Sequence, residues 1–311
     1  MTNLPHLAAI SKALRAVDDV RPTIASPVQG AVFVGSGDSL SSALLATAYG
    51  HRALSSGDLT WSGRLPFGTE TVVGISHSGT SGATVRALRL ATENGKRTIA
   101  ITSNPESPLA AAADEVQLVP SLALQETIPS AGHLMLGLGV DAVAGEGVAG
   151  AAADIAALLE AQGETLAAAV EALPASAPNG VSILTLPDLR GAGDFWMLKL
   201  IEAVGVGVRT VPLEESGHVD YFIGPEPHLT LQLVGNVGVA RFDRLAVALE
   251  STGQTIRQVR LAPPAGQSAR DGIVFELAGE AAARWQRPPF RGGAANMDAR
   301  HIKLDEEPIS V

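Results

Sequence analysis

The chain has 311 residues, of which 46% are hydrophobic, 33 are glycine and only 4% are aromatic, so Ala, Val and Leu must fill one large core or two medium-sized ones. A formal net charge of −10, with no basic run, argues against a nucleic-acid footprint. The absence of cysteine excludes disulfides, thiolate chemistry and a Cys-based zinc site.

Leu7, Ile10, Leu14 and Val17 recur at helical spacing and predict an amphipathic helix over 5–20. The opening MTNLPHLAAISKAL has no basic start followed by a long apolar core, so it does not read as a signal peptide. The apolar stretches of 131–172 are broken by Asp141, Glu146 and Asp154 before they reach the roughly 18–20 residues of a membrane span. A soluble, cytoplasmic protein without membrane contact is expected. Ala31–Val34 reads as a buried strand. It ends in Gly35-Ser36-Gly37-Asp38-Ser39, and a helix follows from Leu40. The two glycines partly match a dinucleotide fingerprint, but Leu40 stands where the third glycine belongs, and no cofactor is expected. A further short element is expected at 59–61.

The chain is organised around Glu70–Asn94. Val72, Val73 and Ile75 form the apolar run of a strand buried on both faces. Ser76-His77-Ser78-Gly79-Thr80-Ser81 follow, and then Val85, Leu88, Leu90 and Ala91 at helical spacing, with Asn94-Gly95 as the stop. A hydroxyl-rich turn at a helix N-terminus, where N–H groups are unpaired and the helix dipole is positive, suits an anion such as phosphate. The same pattern also serves as a plain N-cap and turn. No Gly-Lys-Ser/Thr follows, so it is not a Walker A loop.

Strands at 98–102 and 116–119, with a short helix after Pro108 between them, continue an alternation that predicts a parallel, doubly wound sheet. Residues 131–172 read as two Ala-rich helices joined near Gly145–Gly150, and Pro174–Gly180 as a linker. The alternation then restarts. Strands are expected at 181–186, 208–211, 229–234, 255–261 and 272–277, with helices at 193–204, 242–250 and near 279–286. A charged turn is expected at Glu214-Glu215-Ser216-Gly217-His218. From Arg287 onward the chain reads as an extended tail. The turns at 35–39, 76–81 and 214–218 all fall at C-terminal strand ends, where open α/β sheets bind ligands.

These residues resemble the SIS (sugar isomerase) family, which includes the isomerase half of glucosamine-6-phosphate synthase and the short phosphoglucose/phosphomannose isomerases. Ser76-His77-Ser78-Gly79-Thr80-Ser81 is similar to the family's S-x-S-G-x-[ST] phosphate loop, and Gly37-Asp38-Ser39 to its G-x-S turn. The resemblance implies two flavodoxin-like α/β subdomains in tandem, here 1–174 and 180–286, followed by a tail, 287–311. It implies phosphate binding by Ser39, Ser76, Ser78 and Ser81. Leu198-Lys199-Leu200-Ile201-Glu202 is similar to the synthase segment that ends in the catalytic base, and His218 stands sixteen positions after Glu202, as the family's histidine does. Arg300-His301-Ile302-Lys303 resembles the tail that carries an active-site lysine.

The resemblance thus implies a metal-independent aldose–ketose isomerase of a hexose 6-phosphate, with Glu202, His218 and Lys303 catalytic. It also implies a homodimer with shared active sites. Gly37, His77, Glu126 and Ser130 are candidate sugar contacts. Two departures matter. Glu126-Thr127-Ile128-Pro129-Ser130-Ala131-Gly132-His133 lacks the synthase's Thr-Lys, and Ser130 follows Pro129 where the bifunctional isomerases have arginine. With no glutaminase half and no cysteine to release ammonia from glutamine, glutamine-dependent amino-sugar synthesis by this chain is not expected. In an isomerase, Glu202 would move the proton between C1 and C2, His218 would open the ring and Lys303 would stabilise the enediolate. From the residues alone, Glu202 reads first as an i, i+3 partner of Lys199, worth a few tenths of a kcal/mol. His218 and Lys303 are equally solvated surface groups, and His77 a filler of its turn. A deglycase or deaminase of a 6-phosphorylated amino sugar, and a non-catalytic phosphosugar sensor, are the other readings.

Overall fold

The computed structural model describes residues 4–126, 129–224, 227–260 and 273–285. The chain builds two parallel sheets. The first has β1 (Ala31–Gly35), β2 (Arg52–Ser55), β3 (Thr71–Ile75), β4 (Arg97–Thr102) and β5 (Glu115–Leu118), in the order β2-β1-β3-β4-β5. The second has β6 (Gly180–Thr185), β7 (Gly207–Pro212), β8 (His228–Val234) and β9 (Thr255–Arg260), in the order β7-β6-β8-β9. Each order reverses beside its first strand. This is the flavodoxin-like winding, with the second sheet one strand shorter.

The helices are α1 (Pro5–Ala16), α2 (Asp38–Leu44), α3 (Ser56–Ser62), α4 (Gly82–Glu93), α5 (Pro108–Ala111), α6 (Gly132–Ala144), α7 (Ala151–Ala161), α8 (Gly163–Glu171), α9 (Arg190–Val204), α10 (Leu213–Val219), α11 (Val239–Glu250) and α12 (Ile273–Trp285). β1 and β3 are buried along their whole length, as strands covered on both faces must be. In α4 the buried Val85, Ala87, Leu88 and Ala91 pack in one core cluster with Val34 and Val72. The helix stops at Asn94, where Gly95 takes φ +66°.

Three local expectations are corrected, and residues 59–61 fall in α3, behind a strand at Arg52–Ser55. As a half-exposed edge strand it lacks the apolar run that marks a central one. Residues 132–171 form three helices, because the chain breaks again at Gln162–Gly163. The charged segment 214–218 is helical, its buried stripe being Leu213 and Ser216. The apolar run from Ile273 belongs to a helix, since periodicity cannot separate a short apolar strand from a buried helix.

Two compact units are seen. One contains residues 18–121 and 132–149, and with them the first sheet. The other contains residues 4–17, 122–131 and 150–285, and with them the second sheet. The sheets fall on either side of 174–180, but the units do not follow a single cut there: α1, α7 and α8 belong with the second sheet. Ser11 Oγ donates to Glu160 Oε1 at 2.7 Å, joining α1 to α7, and the Leu7 N–H donates to Glu280 Oε1 at 3.0 Å, joining α1 to α12.

Candidate active site

In the first sheet the order reverses between β1 and β3, which pair with Val34 beside Gly74. Their C-terminal turns, 35–39 and 76–81, are therefore neighbours at the switch point, where this winding leaves a crevice. A Cβ on Gly35 would lie 2.4 Å from the Ser39 carbonyl, so only glycine lets the chain fold back this tightly into α2. Ser36 and Gly37 are exposed on the turn, and Ser39 is half-buried.

The second turn is built by hydrogen bonds to β4. The Ser76 N–H donates to the Ile101 carbonyl at 3.1 Å. The His77 carbonyl accepts from the Ser103 N–H (3.1 Å), Thr102 Oγ1 (3.0 Å) and Ser103 Oγ (2.8 Å). Ser76 Oγ accepts the Gly79 N–H at 3.1 Å and is buried, so it shapes the loop from within. Gly79 takes φ +69°, and a Cβ there would lie 2.1 Å from Ser107 Oγ. Ser78 and Thr80 are exposed, their hydroxyls 2.8 Å apart. Ser81 is the N-cap residue of α4, yet its side chain does not cap the helix; its Oγ accepts from Thr84 Oγ1 at 3.0 Å. The first-turn N–H groups of a twelve-residue helix thus face the turn without a side-chain cap, an arrangement that favours an anion. The half-buried His77 ring has its pKa lowered by burial, which favours its neutral form.

In the second unit, Lys199 is 0% exposed. Its Nζ donates to Glu202 Oε2 at 2.9 Å and to the Pro129 carbonyl at 2.8 Å. The pair is therefore not the surface i, i+3 contact that spacing alone suggests. A buried ammonium needs its partners, and removing one is expected to cost several kcal/mol. The Glu126 carboxylate accepts from Ser130 Oγ (2.9 Å), the Ser130 N–H (3.2 Å) and the Ala131 N–H (3.1 Å). Ser130 is buried and its hydroxyl also meets His6 Nε2 at 2.9 Å. Glu126, Ser130, Lys199 and Glu202 are thus drawn into one region by the 126–131 segment and α9.

His218 is elsewhere. Side chains alternate along a strand, so residues that touch a helix identify its face. Thr210 Oγ1 donates to Asp194 on α9 at 2.5 Å, and Thr185 meets Gly193 of the same helix. Leu184, Val211 and Val234, of the opposite parity, pack with Leu213 of α10 and Phe242 of α11. So α9 with Glu202 covers one face of the second sheet, and α10 with His218 covers the other. His218 is exposed beside Leu213, Glu214, Arg241 and Arg244 around a groove of about 430 Å³. Lys303 lies outside the described residues. Among the described residues no group of three His, Asp or Glu is placed to hold a metal ion.

Residues 31–123 match the SIS domain family model. No curated protein matches the chain in sequence. Solved structures match it along nearly its full length. The glucosamine-6-phosphate deaminase of Thermotoga maritima has TM-score 0.66 and 17% identity, covering 98% of this chain and 95% of that one. The tagatose-6-phosphate ketose/aldose isomerase of Escherichia coli has TM-score 0.67 and 16% identity, covering 98% and 89%. The C-terminal domain of the glucosamine-fructose-6-phosphate aminotransferase of Francisella tularensis has TM-score 0.64 and 13% identity, covering 90% and 92%. At these identities the likeness is one of fold. The SIS domain match spans both crevice turns, β4 and β5. Thr84, Thr102, Ser103 and Ser107, which hold the loop's shape, were not singled out by sequence reasoning. The signal present for them was the Ser107-Pro108 pair, an N-cap followed by proline at N1.

Proposed function

We propose that the protein binds a hexose 6-phosphate and isomerises it between aldose and ketose. Ser39, Ser78 and Ser81 bind the phosphate together with the N-terminus of α4, and Ser76 takes part from inside the loop. Glu202 moves the proton between C1 and C2, His218 assists ring opening, and Lys303 stabilises the enediolate oxygen. This chemistry needs no metal ion. Gly37, His77, Glu126 and Ser130 act near the sugar, Ser130 through its hydrogen bond to Glu126. The observation that carries the reading is the crevice between β1 and β3, lined by hydroxyls and closed by an uncapped helix N-terminus in the stretch that matches the SIS domain family model.

The working unit in this reading is a homodimer with shared sites, in the cytoplasm. Glu202 and His218 lie on opposite faces of one sheet, which supports sites that take the glutamate from one chain and the histidine from the other. Val219, Tyr221 and Phe222, the last 76% exposed, offer an apolar patch beside His218 for the second copy. A second reading, deglycation or deamination of a 6-phosphorylated amino sugar, is favoured by Ser130 standing where the bifunctional isomerases have arginine. The T. maritima deaminase also shares this fold.

Incubation with glucose, mannose and fructose 6-phosphates and with fructosamine 6-phosphates, followed by product analysis, separates these readings. Ketose–aldose interconversion supports the first and amine release the second. Binding of phosphorylated sugars without turnover makes the protein a sensor. Mixing inactive Glu202→Gln and His218→Ala proteins should restore part of the activity through mixed dimers, and a fully active monomer overturns the shared site.

A further inference from the structure

His218 is followed by Val219 and Asp220. Asp220 is fully buried and heavily bonded. Its Oδ1 accepts from the Arg209 guanidinium of β7, its Oδ2 accepts from Ser216 Oγ at 2.5 Å, and its carbonyl accepts from Gln254 Nε2 at 2.7 Å. Arg209 Nε in turn donates to Ser182 Oγ at 2.9 Å, and Ser182 meets His228 Nε2 at 2.9 Å. The sheet face beneath α10 is thus divided. Its C-terminal half is apolar, with Leu184, Val211 and Val234. Its N-terminal half is polar, with Ser182, Arg209 and His228.

α10 matches that division. Leu213 and Ser216 are the buried residues of α10, and Asp220, which follows the helix in a short 3₁₀ turn, is buried beside Ser216. Leu213 enters the apolar half and Asp220 the polar half. A slip or rotation of α10 would strand a carboxylate on leucine and valine, or a leucine on arginine. His218 lies two residues from Ser216, about 200° around the helix, and so points away from the sheet.

We propose that Asp220, clamped by Arg209 and Ser216, is the positioning residue for His218: it fixes the register and rotation of α10 and thereby the reach of the imidazole. This rests on the catalytic reading of His218. The clamp acts through geometry and touches no substrate. A displacement of about 1 Å at a reacting group costs about 10²-fold in rate, so Asp220→Asn is expected to lower kcat about 10²-fold with KM nearly unchanged. Ser216→Ala, which removes one bond and leaves the ion pair, should give a smaller fall of the same kind.

The test is a double-mutant cycle on the full chain, using whichever sugar phosphate of the panel above is turned over fastest. If Asp220 acts through His218, Asp220→Asn adds nothing to His218→Ala, because the group it positions is already gone. Equal, additive losses in both backgrounds overturn the inference and leave His218 catalytic. His218→Ala at the wild-type rate, or no turnover across the panel, overturns the functional reading and the inference together. If Asp220→Asn fails to fold, judged by circular dichroism, the same cycle is run with Ser216→Ala, and additivity there overturns the inference.

Discussion

The two sheets share one winding, yet their switch points are built differently. Between β1 and β3 the crevice is lined by glycine, serine and threonine. Between β6 and β8 the corresponding turns are 186–189 and 235–238. There Leu186 Cδ1 lies 2.5 Å from where a Cβ on Gly238 would be, and Asp188 Oδ2 lies 2.6 Å from the same position on Gly235. Leucine fills the space a ligand would need, and the exposed Asp188 carboxylate beside it repels a phosphate. Topology therefore makes two crevices, and side-chain size and charge leave one of them fit for an anion. On our reading the halves have divided the work, the first holding the phosphate and the second supplying the acid–base groups.

The largest effect that could break this division is on turnover. Glu202→Gln keeps the shape of the side chain but cannot accept a proton. It should cut kcat by about 10²–10⁴-fold with little change in substrate affinity. A loss of affinity instead would put Glu202 in the binding half of the comparison. The phosphate loop should behave in the opposite way. Ser78→Ala with Ser81→Ala removes two hydroxyl donors to an anion, each worth about 1.5–3 kcal/mol, so affinity for a sugar phosphate should fall about 10²-fold or more by calorimetry. Affinity for the unphosphorylated sugar should not change, and Leu186→Ser in the other crevice should alter neither.

Gly79→Ala sharpens the comparison at the level of the backbone. It combines a left-handed φ with a collision against Ser107, and should lower stability by about 1–3 kcal/mol in a denaturant titration. An unchanged midpoint would mean the loop can be rebuilt without its glycine. The smallest effect is on pH dependence. Burial lowers the pKa values of His51 and His77 in the first unit and His228 in the second, the last also through Arg209. Such groups bind fewer protons folded than unfolded, so stability is fully present above their unfolded pKa of about 6.5 and falls as pH drops through it. Thermal midpoints measured from pH 7.5 to 5 should decline, and His228→Gln should flatten part of that decline.

Much of this was legible because it rests on local chemistry. Val72–Ile75, the Ser-Gly turn and the Asn94-Gly95 stop each state their conformation within a few residues, and the strand–turn–helix unit follows. The chain does not announce what depends on partners far away. Lys199 looks like a solvated helix residue until Pro129 and Phe195 are found around it, the Nζ lying 5.2 Å from the Phe195 ring centre. Asp220 looks like a turn residue until Arg209 and Gln254 close on it. Opposite faces for Glu202 and His218 follow from winding about a sheet and not from a sixteen-residue offset. The helical 273–285 segment reads as a strand in its first residues because four of the five from Ile273 to Leu277 are apolar.

The hydrogen bond between Leu7 and Glu280 spans almost the whole described chain. During synthesis the first sheet and α4 have every strand partner they need once residue 118 has emerged. The helix α1, made before them, does not: its partners α7 and α12 are made long after it. The buried face of α1 must therefore wait through the synthesis of about 250 residues, roughly 12–50 s at ordinary translation rates, before its last partner can close on it. The second unit is the slow, non-local part of this chain.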